Sequence, residues 1–152
     1  PVSTDLTTGA PRSPYDEVGG ITFLPRSIDK MRASLAGSAG AYNAKTGYST
    51  NLFELFGVTA DEFEQIVRDN PTDEGVLQAL TARKPLSGAE IEAWNRRSIN
   101  REPADDAAWA RHWKQLEDAG YGDRKDVRTM YDRLDLDDGR EVPQGGRPHA
   151  LK

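Results

Sequence analysis

The sequence predicts an all-α protein: a compact bundle of about six short helices preceded by an irregular N-terminal arm. Three observations predict it. Apolar residues recur at helical spacings of three and four along most of the chain. Two capping-box patterns, Thr59-Ala-Asp-Glu62 and Ser87-Gly-Ala-Glu90, mark helix starts, and Pro or Gly separates the periodic runs. No convincing stretch alternates apolar with polar residues, and no unit of ~34 or ~40 residues recurs, which argues against sheets and solenoids.

Residues 1–22 read as an arm packed on the domain, because Gly9, Pro11, Pro14, Gly19 and Gly20 break any period. A short extended segment over Val18–Phe23 has no evident partner strand. The first helix starts near Thr22–Pro25, since proline suits a first turn whose N–H has no partner. Leu24, Ile28, Met31 and Leu35 form its stripe. Small residues from Ala36 to Ala41 continue it, inviting close approach by another segment, and Tyr42 closes the stripe one heptad after Leu35. After a loop over 43–50, Leu52, Phe53, Leu55 and Phe56 make a short helix that Gly57 stops.

Thr59 opens a helix with Phe63, Ile66 and Val67 inside, ended by Asn70-Pro71. Thr72 caps the next, whose face is Val76, Leu77 and Leu80 and which Pro85 terminates. Ser87 opens a helix bearing Ile91, Trp94 and Ile99. After Glu102-Pro103 comes one with Trp109, Trp113 and Leu116, ended by Gly120. The last is expected to begin at Asp123 or Arg124 and to carry Val127, Met130, Tyr131 and Leu134. The helical domain thus spans residues 23–138, and 139–152 form a polar C-terminal tail. The composition of that tail suggests disorder, with docking on its own bundle or on a neighbouring chain as the alternative.

Composition bounds the function. At 152 residues the chain has the length of one domain and can bury ~70% of its unfolded surface. No apolar run approaches the ~18 residues of a membrane span, so no membrane insertion is expected. The opening residues lack a secretory pattern, and Pro1 fits a processed start methionine. The absence of cysteine removes disulfides, thiolate metal sites and a cysteine nucleophile. The expectation is a soluble cytoplasmic protein. With 20 basic against 25 acidic residues, nucleic-acid binding through phosphate neutralisation is not expected. Residues 1–50 balance at +1, 51–100 at −4 and 101–152 at −2, which directs a cationic site to the N-terminal third.

Familiar catalytic motifs are missing. Two histidines, His112 and His149, cannot make a three-histidine zinc site, so no metal and no cofactor is expected. His112, beside Trp109 and Trp113, reads as a packing or hydrogen-bonding group. The tryptophan pair reads as core. The acidic run Asp132, Asp135, Asp137, Asp138 fails the calcium-loop register and reads as a solvated helix end. No phosphate-binding glycine loop or serine elbow exists. Pro1, as a free secondary amine, lacks the strand–helix context of a catalytic one.

The segment from Pro11 to Arg32 stands out. Helical arithmetic puts Arg26 and Lys30 nearly opposite the core stripe and Asp29 and Arg32 on its flank. Arg26 lies in a first turn, where the helix dipole disfavours cations, so pairing with Asp29 or holding an anion would explain it. The arm adds Arg12 and Tyr15. Two readings stand: a site for a small anion or polar ligand, or an ion-pair network that pins the arm.

Functionally, the first expectation is a non-catalytic binding module for a small anionic ligand or a protein partner, built on Arg12, Tyr15, Arg26, Lys30 and Tyr42. The alternative is a small cofactor-free enzyme. Asp29 would be its base, with Lys30, Arg26 or Tyr42 stabilising negative charge.

The residues Arg12-Ser13, Gly19-Gly20 and Leu24-Pro25-Arg26-Ser27-Ile28-Asp29-Lys30-Met31-Arg32-Ala33 resemble the bacterial family catalogued as domain of unknown function 5069. The resemblance continues in Phe56-Gly57-Val58, Thr72-Asp73-Glu74, Ile91-Glu92-Ala93-Trp94-Asn95 and Arg128-Thr129-Met130-Tyr131-Asp132. It covers roughly residues 11–140. It implies a fold and a cytoplasmic bacterial setting and no mechanism. The chain departs from the pattern at 46–51, where an acidic residue is expected and Gly47-Tyr48-Ser49-Thr50-Asn51 stands.

Overall fold

The computed structural model describes residues 5–147. Pro1 and His149, and the end of the tail, lie outside them. Among the described residues the chain forms seven helices and one two-stranded ribbon. By contacts it divides into two units, Pro1–Ile91 and Glu92–Lys152. No helix among the described residues is long and apolar enough to cross a membrane.

In the first unit the arm finds its own strand partner. β1 (Glu17–Val18) pairs antiparallel with β2 (Ile21–Thr22). Gly19 and Gly20, at φ 61° and 78°, make the reversal that a two-residue hairpin needs. The extended segment expected to lack a partner therefore folds back on itself. Helix α1 (Leu24–Leu35) follows with Pro25 in its first turn. Most of its stripe is buried, with Leu24, Ile28 and Met31 at 0% exposure, while Leu35 at its end is half-buried.

The helix stops earlier than the run of small residues suggests. Gly37 takes φ 72°, and the Ser38 and Gly37 amides close onto the Ala33 and Ser34 carbonyls at 2.8 and 3.1 Å. This is a Schellman ending, and it takes Tyr42 off the α1 stripe. The small residues do admit a neighbour. The Leu6 amide donates to the Ser38 carbonyl at 2.9 Å, and a Cβ on Gly40 would lie 2.7 Å from the Leu6 carbonyl oxygen.

α2 (Ser49–Phe56), α3 (Ala60–Asp69) and α4 (Asp73–Arg83) complete this core. α3 packs on α1, α2 and α4. Leu52, Phe53, Phe63, Val67, Val76 and Leu80 are its buried contributions. Both bonds of the Thr59–Glu62 capping box form, at 2.9 and 3.1 Å. Thr72 accepts the Gly75 amide at 3.0 Å. Arg32 donates to the Val67 and Asn70 carbonyls, completing the C-terminal end of α3.

α5 (Gly88–Ile99) opens with the expected Ser87–Glu90 box, both bonds at 3.1 Å. In the second unit α6 (Asp106–Asp118) packs on α7 (Met130–Asp137). Leu116, Val127, Leu136 and Val142 form a cluster flanked by Trp113 and Tyr121. The α6 face differs from the expected one. His112 and Leu116 are buried, whereas Trp109 and Trp113 are half-buried and stack on each other at 5.3 Å.

The last helix starts at Met130 and not near Asp123, because Thr129 caps it through the Asp132 amide and turns occupy the preceding residues. Its acidic end is solvated only in part, at the exposed Asp137. Asp132 and Asp135 are buried, and Arg147 from the tail reaches Asp135 at 3.1 Å. Arg140 reaches Asp138 at 3.2 Å. Arg124 clamps Asp126 through two bonds of 3.0 Å and holds that carboxyl down to about 2. The described part of the tail thus lies back on its own unit.

Candidate functional site

Two clusters bear on function, one in each unit. In the first, the arm is fastened to α1 and α4 by Arg12. Its Nε and Nη2 donate to the two Asp29 oxygens at 3.0 Å each. Its Nη1 and Nη2 donate to Asp73 at 2.8 and 3.1 Å. The Arg12 amide adds a bond of 2.9 Å to Asp29. The guanidinium fork matches two carboxylates at once. The Arg12 bond holds the Asp73 carboxyl below the ordinary carboxylate range, and Asp73 and Asp29 in turn hold the Arg12 guanidinium charged.

Arg26 and Lys30 are buried, at 3% and 7% exposure, despite their place opposite the stripe. The reason is that the arm and the following loop cover that side of α1. Arg26 donates to the Arg12 carbonyl at 3.2 Å and lies over the Tyr42 ring at 5.9 Å. Lys30 lies over the Phe23 ring at 5.7 Å. Phe23 itself takes φ 72°, a conformation that costs a non-glycine residue ~1–3 kcal/mol. Tyr15 is half-buried beside Ser13, whose hydroxyl accepts the Tyr15 amide at 3.2 Å. The structure therefore brings Arg12, Asp29 and Arg26 together, with Tyr42 on Arg26. The partner of Asp29 is Arg12, not Arg26 or Arg32.

The second cluster was not anticipated from sequence. A cavity of ≈ 380 Å³ opens in the second unit between α6, α7 and the 101–104 connection. Asp105, Ala108, Arg111, His112 and Gln115 line it from α6, a face of spacings three and four. Met130 and Arg133 line it from α7, and Arg101 and Glu102 from the connection.

His112 organises this wall. One ring nitrogen, Nε2, meets the Val127 carbonyl at 2.7 Å, which makes it the donor. The other, Nδ1, then accepts from Arg133 Nε at 3.2 Å. Burial, more than the nearby arginines, pushes the imidazole below its ordinary value, so it stays neutral. Arg133 is pushed down by burial as well. Its guanidinium has no carboxylate within ion-pair distance among the described residues, and neither has that of Arg111.

The acids at the cavity are occupied on one oxygen each. Glu102 Oε1 accepts from Arg128 at 3.3 Å, and Arg128 lies over the Trp109 ring at 4.4 Å. Asp105 Oδ1 caps α6 through the Ala108 amide at 2.8 Å. The cavity is therefore a small pocket with three arginines and two carboxylates, in the size range of small-molecule sites. Segment sums directed attention to the N-terminal third because twelve acidic residues mask these arginines over 101–152. The spacing of Asp105, Ala108, Arg111 and Gln115 was the available signal.

The chain matches the family described as Domain of unknown function (DUF5069) over residues 8–140 and belongs to it. The match spans both the arm cluster and the cavity. No curated protein matches the chain.

Proposed function

We propose that this protein is a non-catalytic binding module for a small anionic ligand, held in the α6–α7 cavity. One observation carries this: Arg133 is fixed by a neutral histidine and lines the cavity with no carboxylate in ion-pair contact, Asp137 acting on it only from a distance. A half-buried cation without a carboxylate in direct contact is only partly compensated, and an incoming carboxylate or phosphate completes the pairing. Arg111 shares the cavity and adds a second fork. His112 is unsuited to proton transfer because both ring nitrogens are engaged, so its role is to position Arg133.

The arm cluster supports binding less well. Arg12 spends its donors on Asp29 and Asp73, and an Asp29 that acted as a base would first have to leave that cation. The arm network serves to pin the arm. The resemblance noted above supports a cytoplasmic bacterial setting.

Calorimetric titration of the protein with sodium valerate and with inorganic phosphate tests the reading. Saturable binding of at least one of them is expected, weakened about tenfold or more in Arg133→Gln and in the exposed variant Arg111→Gln. Absence of saturable binding, or binding untouched by both variants, refutes it.

A further inference from the structure

The cavity carries charged groups of both signs with hydrogen-bonding capacity to spare. Arg111 and Arg133 have no carboxylate partner among the described residues. Glu102 Oε2 and Asp105 Oδ2 accept no hydrogen bond among them either, since the bonds these acids make use Oε1 and Oδ1. All four residues line one cavity, and yet the two signs do not pair with each other.

Their placement on α6 explains why. Asp105 precedes the first turn and Arg111 lies six residues on, about 9 Å along the axis at ~1.5 Å per residue. Arg133 is held at the level of His112 by its 3.2 Å bond. Glu102 precedes Asp105 on the connection and shares its end of the pocket. Arg111 and Arg133 thus stand toward one end of the cavity and Glu102 and Asp105 toward the other, where Arg101 also lines the wall and Arg128 holds one Glu102 oxygen. Ala108 lies between them along α6 and Met130 on the α7 side.

We infer that the cavity recognises a zwitterion. Its carboxylate lies on the Arg111 and Arg133 guanidiniums, and its ammonium lies on the free oxygens of Glu102 and Asp105. This rests on the anion-binding reading above and narrows it to amino-acid-like ligands whose charges are separated by a short apolar chain. A dianionic phosphate would satisfy the arginines but would leave Glu102 and Asp105 facing a like charge. A simple carboxylate would leave the anionic end with water alone.

The test compares four probes on the intact chain: 5-aminovalerate, valerate, pentylamine and inorganic phosphate. 5-Aminovalerate is expected to bind about tenfold or more tightly than valerate, and pentylamine and phosphate more weakly than either. Two variants assign the ammonium end without disturbing the fold. Asp105→Asn keeps an equally good helix cap while removing the charge. Glu102→Gln alters an exposed ion pair of small worth. Together they should reduce 5-aminovalerate to the affinity of valerate and leave valerate unchanged or slightly tighter. Equal affinity for valerate and 5-aminovalerate, or a preference for phosphate, overturns the zwitterion and leaves the anion reading standing. If no probe binds, both fall.

Discussion

Replacing Arg12 with alanine removes four charged hydrogen bonds and strands one carboxylate. Asp29 and Asp73 do not lose equally. The Asp29 side chain is 10% exposed and would keep only the Arg12 amide, whereas Asp73 is 29% exposed and can rehydrate. A hydrogen bond to a charged group contributes ~1.5–3 kcal/mol, but bonds sharing one guanidinium do not add. Arg12 is itself 39% exposed, which weakens its side of the pairing through solvent screening.

The Asp29 contacts together are then worth about 2 kcal/mol and those to Asp73 about 0.5 kcal/mol, a total near 2.5 kcal/mol. All three tryptophans, Trp94, Trp109 and Trp113, lie in the second unit, so their fluorescence follows the wrong half of the chain. The assay is urea unfolding followed by far-ultraviolet circular dichroism, with amide exchange measured on peptides covering the arm and α1. Arm amides such as Phe23, which bonds the Pro14 carbonyl at 3.0 Å, should exchange faster. Adding Asp29→Asn to Arg12→Ala should recover part of the loss, because the stranded charge is gone. A loss below about 0.5 kcal/mol, or no recovery in the double variant, would refute the pinning role.

Other expectations follow from single positions. Gly40→Ala places a Cβ 2.7 Å from the Leu6 carbonyl at φ 57°, whereas Gly37→Ala meets open space at φ 72°. The first should cost about 1–2 kcal/mol more than the second in urea unfolding, since both share the left-handed strain and only one also displaces the arm. His112 is held below its ordinary value of 6.5, chiefly by burial, so the unfolded chain takes up the proton first as pH falls. Its contribution is present above the unfolded value and is lost as pH drops through the folded one. His112→Gln, which can still donate to Val127 and accept from Arg133, should therefore flatten the stability profile just below about pH 6.5, read by thermal melts. An unchanged slope there would count against the buried neutral imidazole. Asp126, held at about 2 by Arg124, acts in a lower window: its contribution is present above about pH 4 and lost toward pH 2. Asp126→Asn should accordingly lessen acid sensitivity between those values and not above them.

Much of the fold was legible because local rules governed it. The boxes at Thr59 and Ser87, the cap at Thr72, the stops at Gly57 and Gly120 and the Leu24–Ile28–Met31 stripe are each set within a few residues. Misreadings came where local pattern met tertiary demand. A run of small residues after Leu35 has no strong helix breaker except glycine, and only the packing of Leu6 against Gly40 shows why the chain must turn there. Met130 and Tyr131 extended naturally backwards to Val127 by period, but Thr129 offered a cap that the period hides. The acidic residues of α7 looked solvated because the arginines that meet them, Arg140 and Arg147, come from a tail whose composition predicts no structure.

The candidate site divides in the same way. That Arg12, Arg26 and Asp29 share one region was readable from a cation in a first turn and an arm rich in turn residues, but the expected pairing of Arg26 with Asp29 is replaced by Arg12 on Asp29. That Arg12 would meet Asp73, sixty-one positions away, was not. The cavity of the second unit escaped entirely. Arg111 and Arg133 sit on different helices, and the sequence around His112 shows only its aromatic neighbours Trp109 and Trp113.

The most direct measurement is the nitrogen-15 spectrum of the Arg133 side chain during titration with 5-aminovalerate. Its Nε–H, bonded to His112 at 3.2 Å, gives a resonance of its own that Arg133→Gln would assign. The account predicts a saturable shift of that signal, following the same isotherm as the calorimetric heat, while the Arg12 Nε–H signal stays fixed on Asp29. A signal that does not move while heat is released, or one that moves only at Arg12, would contradict it.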